Sequence, residues 1–191
     1  MRLYRAIVGN ETTLLRDGLL RGRRVVLSGS VSAELRHALA RLGAEPAQAD
    51  DGQADALVHD AGETFVAAGL PGALQETWSA VAQVANHSLI PRGEGGKVVL
   101  LAPRPHAGGL APRPHAGAHA QAARAALENL ARTLSTEWAR YGITTTAIAP
   151  GQDSGEDSVA ALVCFLLSRA GDYFSGCRFD LGAVRAPRAT S

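Results

Sequence analysis

Short, uninterrupted apolar runs alternate along this chain with longer stretches whose apolar residues recur every three or four positions. Residues 23–29, 55–59, 97–101, 143–149 and 177–181 are runs of the first kind and read as buried strands. Residues 44–47 (Ala-Glu-Pro-Ala) make a poor strand at best, because proline cannot donate to a ladder. The helical stretches are 33–42, entered at the N-cap Ser32 and stopped by Gly43; about 72–89, carrying Leu74, Trp78, Val81 and Ala85; about 121–140; and 157–169. The third of these places Ala123, Ala126, Leu127, Leu130, Leu134 and Trp138 along one stripe. Strands that alternate with helices through short loops predict an α/β fold. The sheet should be parallel and doubly wound, of about six strands, with helices on both faces.

A chain of 191 residues fills one domain, here assigned to residues 21–191 behind an N-terminal extension, 1–20, that reads as an edge strand or an arm. The start lacks the apolar core of a signal peptide, and the longest apolar run, 159–167, is too short to cross a bilayer. A net charge of +1, with scattered arginines and the single lysine Lys97, makes no case for nucleic acid or an anionic membrane. Cys164 and Cys177 cannot build a disulfide framework and are expected as buried thiols on a helix and a strand, so a cytoplasmic protein is expected. The octapeptide Leu-Ala-Pro-Arg-Pro-His-Ala-Gly occurs twice, at 101–108 and 110–117. Two copies do not make a solenoid, and the duplication reads as a lengthened surface loop.

The helix beginning Arg124-Ala125-Ala126-Leu127, the β-rich run after Tyr141-Gly142 and the turn Pro150-Gly151 resemble the back half of a short-chain dehydrogenase/reductase. Collinear with them are a glycine turn after the first strand, His59-Asp60-Ala61-Gly62 where that family has an "NNAG" turn, and a closing Tyr173-Phe174-Ser175-Gly176 segment. The resemblance covers nearly the whole chain after residue 20 and implies a shortened Rossmann-like domain. It also marks Gly29, Ala61, Gly62, Arg124, Pro150 and Gly151 as vestiges of a cofactor-binding surface.

The family's chemistry has no counterpart at the matching positions. Its serine falls on Ala102 or Pro103, its tyrosine on Ala120, its lysine on Arg124 and its asparagine on Ala85, with Asn86 one step off. The first turn keeps only Gly29 of three glycines, with Ala33 and Leu35 replacing the others and Glu34 adding a carboxylate unfavourable to a dinucleotide phosphate. The expectation is therefore a catalytically degenerate member with no cofactor. The alternative is an NAD- or NADP-dependent oxidoreductase using displaced groups such as His119 or Tyr141. Arginine at the lysine position also resembles halohydrin dehalogenases, but the matching Ser and Tyr are missing.

Other candidates have plainer explanations. His115 and His119 share a helical spacing without a third ligand, and Asp60 suits turn stabilisation better than an acid–base pair with His59. Ser28, Ser30 and Ser32 read as turn and cap residues with no His-Asp partner in the pattern. The resemblance implies that helices 72–89 and 121–140 pack against a second subunit, giving a homodimer or homotetramer or a hetero-oligomer with an active relative. Ala122, Ala123, Ala125 and Ala126 would let helices approach closely.

Overall fold

The computed structural model describes residues 15–105 and 116–182, with side chains from 119 onward in the second segment. His115, the second octapeptide copy up to that residue and the first fourteen residues of the expected extension lie outside the described residues.

Six parallel strands form one sheet: β1 (Arg24–Gly29), β2 (Glu45–Pro46), β3 (Ala56–Asp60), β4 (Gly96–Leu101), β5 (Ile143–Ala149) and β6 (Arg178–Asp180), in the order β2-β1-β3-β4-β5-β6. The register places Leu57 between Val26 and Val98, and Asp60 between Gly29 and Leu101. Because every side chain alternates between faces, one face carries Val26, Leu57, Val98 and Leu100 and the other Val25, Val58, Val99 and Leu101. Helices α2 (Gly62–Val84) and α3 (Ala116–Glu137) cover the first face; α1 (Ala33–Arg41) and α4 (Glu156–Leu167) cover the second.

Local chemistry accounts for the boundaries. Ser32 accepts a hydrogen bond from the Leu35 N–H at 3.3 Å and opens α1. Gly43 closes it at φ 88°, where Ala44 N–H reaches back to the Leu39 carbonyl at 3.0 Å. The α2 span is two helical pieces joined at Gly69, whose φ 70° and ψ −165° are not helical; the piece after Pro71 is the helix expected from about residue 72, and the piece from Gly62 up to the break was not expected. After Val84 one wide turn, Ala85–Leu89, precedes the short turn Ile90–Arg92.

The weak segment is as poor a strand as expected, two residues at the sheet edge: Glu45 N–H bonds to the Arg23 carbonyl and Ala47 N–H to the Val25 carbonyl, so Pro46 sits where its missing donor costs nothing. Three expectations are corrected. The buried stripe of α2 is Ala73, Thr77, Val81 and Val84, so Trp78 turns about 100° away from Thr77 and is 48% exposed. Cys164 is buried in α4 as expected, whereas Cys177 precedes β6, half-buried, with its Sγ near the Ser175 carbonyl. Residues 15–20 form turns, and Leu20 is fully buried with its N–H on the Leu42 carbonyl, so the packed domain begins before residue 21.

Candidate functional site

Connections leave the sheet in opposite directions between β1 and β3, and a crevice opens there at the carboxyl ends of the strands. It is a cavity of about 290 Å³ with an apolar floor that includes Leu35, Val66 and Leu101. Its rim carries Ser30, Asp60, Glu63, Arg104 and Glu156.

Each rim residue is set by its element. Asp60 ends β3 and its Oδ1 accepts the Gly62 N–H at 2.8 Å, a turn that launches α2. Burial pushes its carboxyl up to about 6 against the pull of that hydrogen bond, with Glu156 and Glu63 adding to the rise and Arg104 opposing it. Ser30 donates to the Glu63 carboxylate across the mouth of the crevice. Arg104, in the first octapeptide copy, bonds the Gly151 carbonyl at 2.7 Å, the Ser154 carbonyl at 2.9 Å and the Glu156 carboxylate. It thereby holds the loop between β5 and α4. Arg104, Glu63 and Glu156 were not singled out from the sequence. Only the proximity of Glu63 to the Asp60 turn, and of Arg104 to Ala102, could have pointed to them.

Behind the cavity lies Arg124, 4% exposed. Its Nη1 donates to the Pro150 carbonyl at 2.6 Å and the Pro103 carbonyl at 3.1 Å, and Nη2 faces the Ala149 carbonyl at 3.4 Å and Asp180 at 3.7 Å. The guanidinium thus ties the ends of β4 and β5 together from α3. Arg178, which also pairs with Glu128 at 2.7 Å, bonds Asp180 at 2.7 Å and holds that carboxyl below the usual range, with the Gly182 N–H and the Arg124 charge adding to the effect against burial. Ala120, one turn before Arg124, is fully buried, and Ala85 and Ala102 are buried beside it in the same apolar cluster; Asn86 is exposed. Pro103 and Pro150 contribute carbonyls and cavity wall.

The glycines that the resemblance marks as cofactor-surface positions have packing reasons of their own. A Cβ on Gly29, at φ 73°, would lie 1.9 Å from the Asp60 carbonyl oxygen. One on Gly151 would lie 2.6 Å from the Gly182 Cα, and one on Gly62 3.0 Å from Asp60 Oδ1. Ala61 is fully buried. Glu34 is exposed on α1 and does not line the cavity.

One arrangement was missed from the sequence. Ser28 and His59 are register partners on β1 and β3, and Ser28 Oγ lies 3.0 Å from His59 Nδ1. Ser28 thus has a histidine neighbour that a linear pattern cannot show, because cross-strand register is invisible there, although no Asp among the described residues completes a Ser-His-Asp set. His59 is fully buried, burial lowers its pKa against the opposing Glu76 charge, and its Nε2 has no hydrogen-bond partner. Asp60 faces away from it, into the crevice side. His119 is exposed next to Ala120, and Tyr141 lies at the far end of α3, where the Arg140 guanidinium stacks on its ring at 4.6 Å. The structure does not bring these two together. Among the described residues no group of three His, Cys, Asp or Glu side chains could hold a metal, and no described helix is long and apolar enough to cross a membrane.

No family model matches the sequence, and no curated protein matches it. Solved structures do. A citronellol catabolism dehydrogenase of Pseudomonas aeruginosa superposes with a TM-score of 0.69 at 22% identity, over 89% of this chain and 98% of that one. A short-chain dehydrogenase/reductase of Serratia marcescens gives 0.66 at 18% identity, over 85% and 96%. A putative NAD(P)-dependent gluconate 5-dehydrogenase of Beutenbergia cavernae, solved with bound NADP, gives 0.63 at 18% identity, over 86% and 97%. With its single parallel sheet, its strand order and the crevice at the carboxyl edge, this chain has the fold of the short-chain dehydrogenases/reductases.

Proposed function

We propose that this protein retains the dehydrogenase scaffold without nicotinamide-dependent catalysis and serves as a non-catalytic oligomeric or binding subunit. The observation that carries the reading is Arg124: it stands where the fold's lysine is expected, and its Nη donors face the carbonyls of Pro103, Ala149 and Pro150. A guanidinium so engaged has three of its five N–H donors turned onto main-chain carbonyls and cannot act as an acid or base near neutral pH. Supporting it, Ala120 and Ala102 offer no hydroxyl, and the carboxylates of Glu63 and Glu156 stand at the cavity rim where a pyrophosphate would need positive charge. Oligomerisation would use the outer faces of α2 and α3, where Trp78, Ala122 and Ala125 are exposed while Ala123, Leu127, Leu134 and Trp138 cover this chain's own sheet.

Isothermal titration with NADH and NADPH tests the first part: no heat of binding is expected up to millimolar cofactor, and micromolar affinity for either would overturn the reading. Sedimentation velocity tests the second, with Trp78→Glu expected to dissociate any self-assembly. A second reading, an NAD- or NADP-dependent oxidoreductase with displaced groups, is favoured by His119, exposed beside the Ala120 position. Turnover on a panel of carbonyl compounds that is abolished by His119→Ala or Tyr141→Phe would establish it.

A further inference from the structure

The amino-terminal edge of the sheet, opposite the crevice, holds a second cavity of about 480 Å³. Its charged lining is Arg23, Glu94, Lys97 and Asp172, with hydroxyls from Ser135 and Thr144. Lys97 is the only lysine in the chain and the second residue of β4. Its side chain is 5% exposed, and its Nζ makes no well-directed hydrogen bond although Asp172 Oδ1 lies 2.5 Å away.

The charges around it do not cancel evenly. Glu94 is paired with Arg92 at 2.6 Å, and Asp172 faces Lys97. Arg23 makes no ion pair among the described residues and lines the same cavity. The Lys97 Nζ is covered in the resting structure, so a small molecule entering here meets the half-exposed Asp172 carboxylate and the uncompensated Arg23 guanidinium first, and the amine once Asp172 swings aside.

We propose that Lys97 is a covalent capture site for small anionic aldehydes or ketones, oxo acids by class, with their carboxylate held by Arg23. The Lys97 ammonium first passes a proton to the Asp172 carboxylate. The free amine then adds to the carbonyl carbon, forming the C–N bond as the carbonyl π bond becomes an alkoxide. Asp172 returns the proton to that oxygen, a further proton moves from nitrogen to the hydroxyl, and water departs. The sum is an ammonium and a carbonyl compound giving a protonated imine and water. No oxidant or reductant is consumed, and the bond is reversible by hydrolysis. Burial lowers the Lys97 pKa, helped by the Arg23 charge and opposed by Asp172, which favours the free amine this addition needs. The inference is independent of whether the crevice binds a dinucleotide, because it concerns the opposite edge of the sheet.

The single lysine makes the test direct. The full chain is incubated near neutral pH with glyoxylate, and separately with uncharged propanal, each with cyanoborohydride to reduce any imine. Adducts are located by peptide mapping, and every rate is divided by that of an unstructured peptide of residues 94–101. The expected result is Lys97 labelling by glyoxylate at least tenfold faster than the peptide, with propanal's relative rate several-fold lower. Arg23→Gln, with its fold checked by circular dichroism, should remove the preference for glyoxylate. Labelling confined to the terminal amine, Lys97 labelled no faster than the peptide, or equal relative rates for the two aldehydes would overturn the proposal. The first two are what a purely structural ion pair produces, and both are read on the unmodified chain without any variant.

Discussion

Two buried cations, Arg124 at the carboxyl edge of the sheet and Lys97 at the amino edge, are each 4% exposed and solve the same problem differently. Arg124 spreads its charge over three backbone carbonyls and one carboxylate, so two strand ends depend on it. Lys97 faces one carboxylate, on an Asp172 side chain that is 54% exposed. Burial alone therefore does not say what a charged residue is for. A fork of donors aimed at main-chain oxygens is a structural tie, whereas a point charge beside a cavity with a single partner retains chemical freedom.

The sharpest way to break this contrast is Arg124→Met. It leaves the Pro103 and Pro150 carbonyls without their donor inside the fold, and should cost about 3–5 kcal/mol in urea unfolding. A loss under about 1 kcal/mol would mean that water replaces the guanidinium and that the tie is dispensable. Next in size is Gly29→Ala, expected to cost about 2–4 kcal/mol in the absence of any ligand, because the new Cβ meets the Asp60 carbonyl in a left-handed backbone. Unchanged stability there would return Gly29 to a role in ligand contact.

Asp60 sharpens the picture of the crevice through pH. Its carboxyl titrates near 6 in the folded chain against 3.8 in the unfolded one, so the folded state holds the extra proton between those values. Stability accordingly falls as pH rises through that window. Asp60→Asn keeps an acceptor for the Gly62 N–H and has no proton to lose. It should raise stability by about 1–2 kcal/mol at pH 7, a figure reduced for partial exposure, and leave it unchanged below about pH 4. An equal gain at both pH values, measured by denaturant titration, would assign the effect to something other than the carboxyl's charge. The smallest effect is expected at the amino edge: Lys97→Met should change stability by less than about 1 kcal/mol, since the half-exposed Asp172 can be hydrated once alone. A cost comparable to that at Arg124 would erase the distinction between the two cations.

The sequence carried the fold far better than the site. The short apolar runs 25–27, 56–58 and 98–101, apolar on both faces as strands of a covered sheet are, point to a parallel sheet without further help. Pro46 made the edge strand read as poor, and it is only two residues long, because proline is tolerated at an edge where a donor would face solvent. Gly69 and Pro71 do mark a break, and the short helical piece between Gly62 and that break went unread because only the longer stretch after Pro71 shows helical spacing. At the site, the missing hydroxyls of Ala102 and Ala120 were legible because they are identities. The Ser28–His59 contact, the Arg104 clamp and the burial of Lys97 were not, because each depends on register or on a partner 31 to 75 positions away in the chain.

The outward turn of Trp78 gives the molecule two optical reporters that answer separate questions. Trp138 is 9% exposed beneath α3 and its emission should track the integrity of the interior, shifting to the red only on unfolding. Trp78 is half-exposed on the single chain, so quenching by iodide should reach it first when the chain is alone, and its emission should move to the blue when another molecule settles on α2. With only two tryptophans in the chain, replacing either by phenylalanine isolates the other signal.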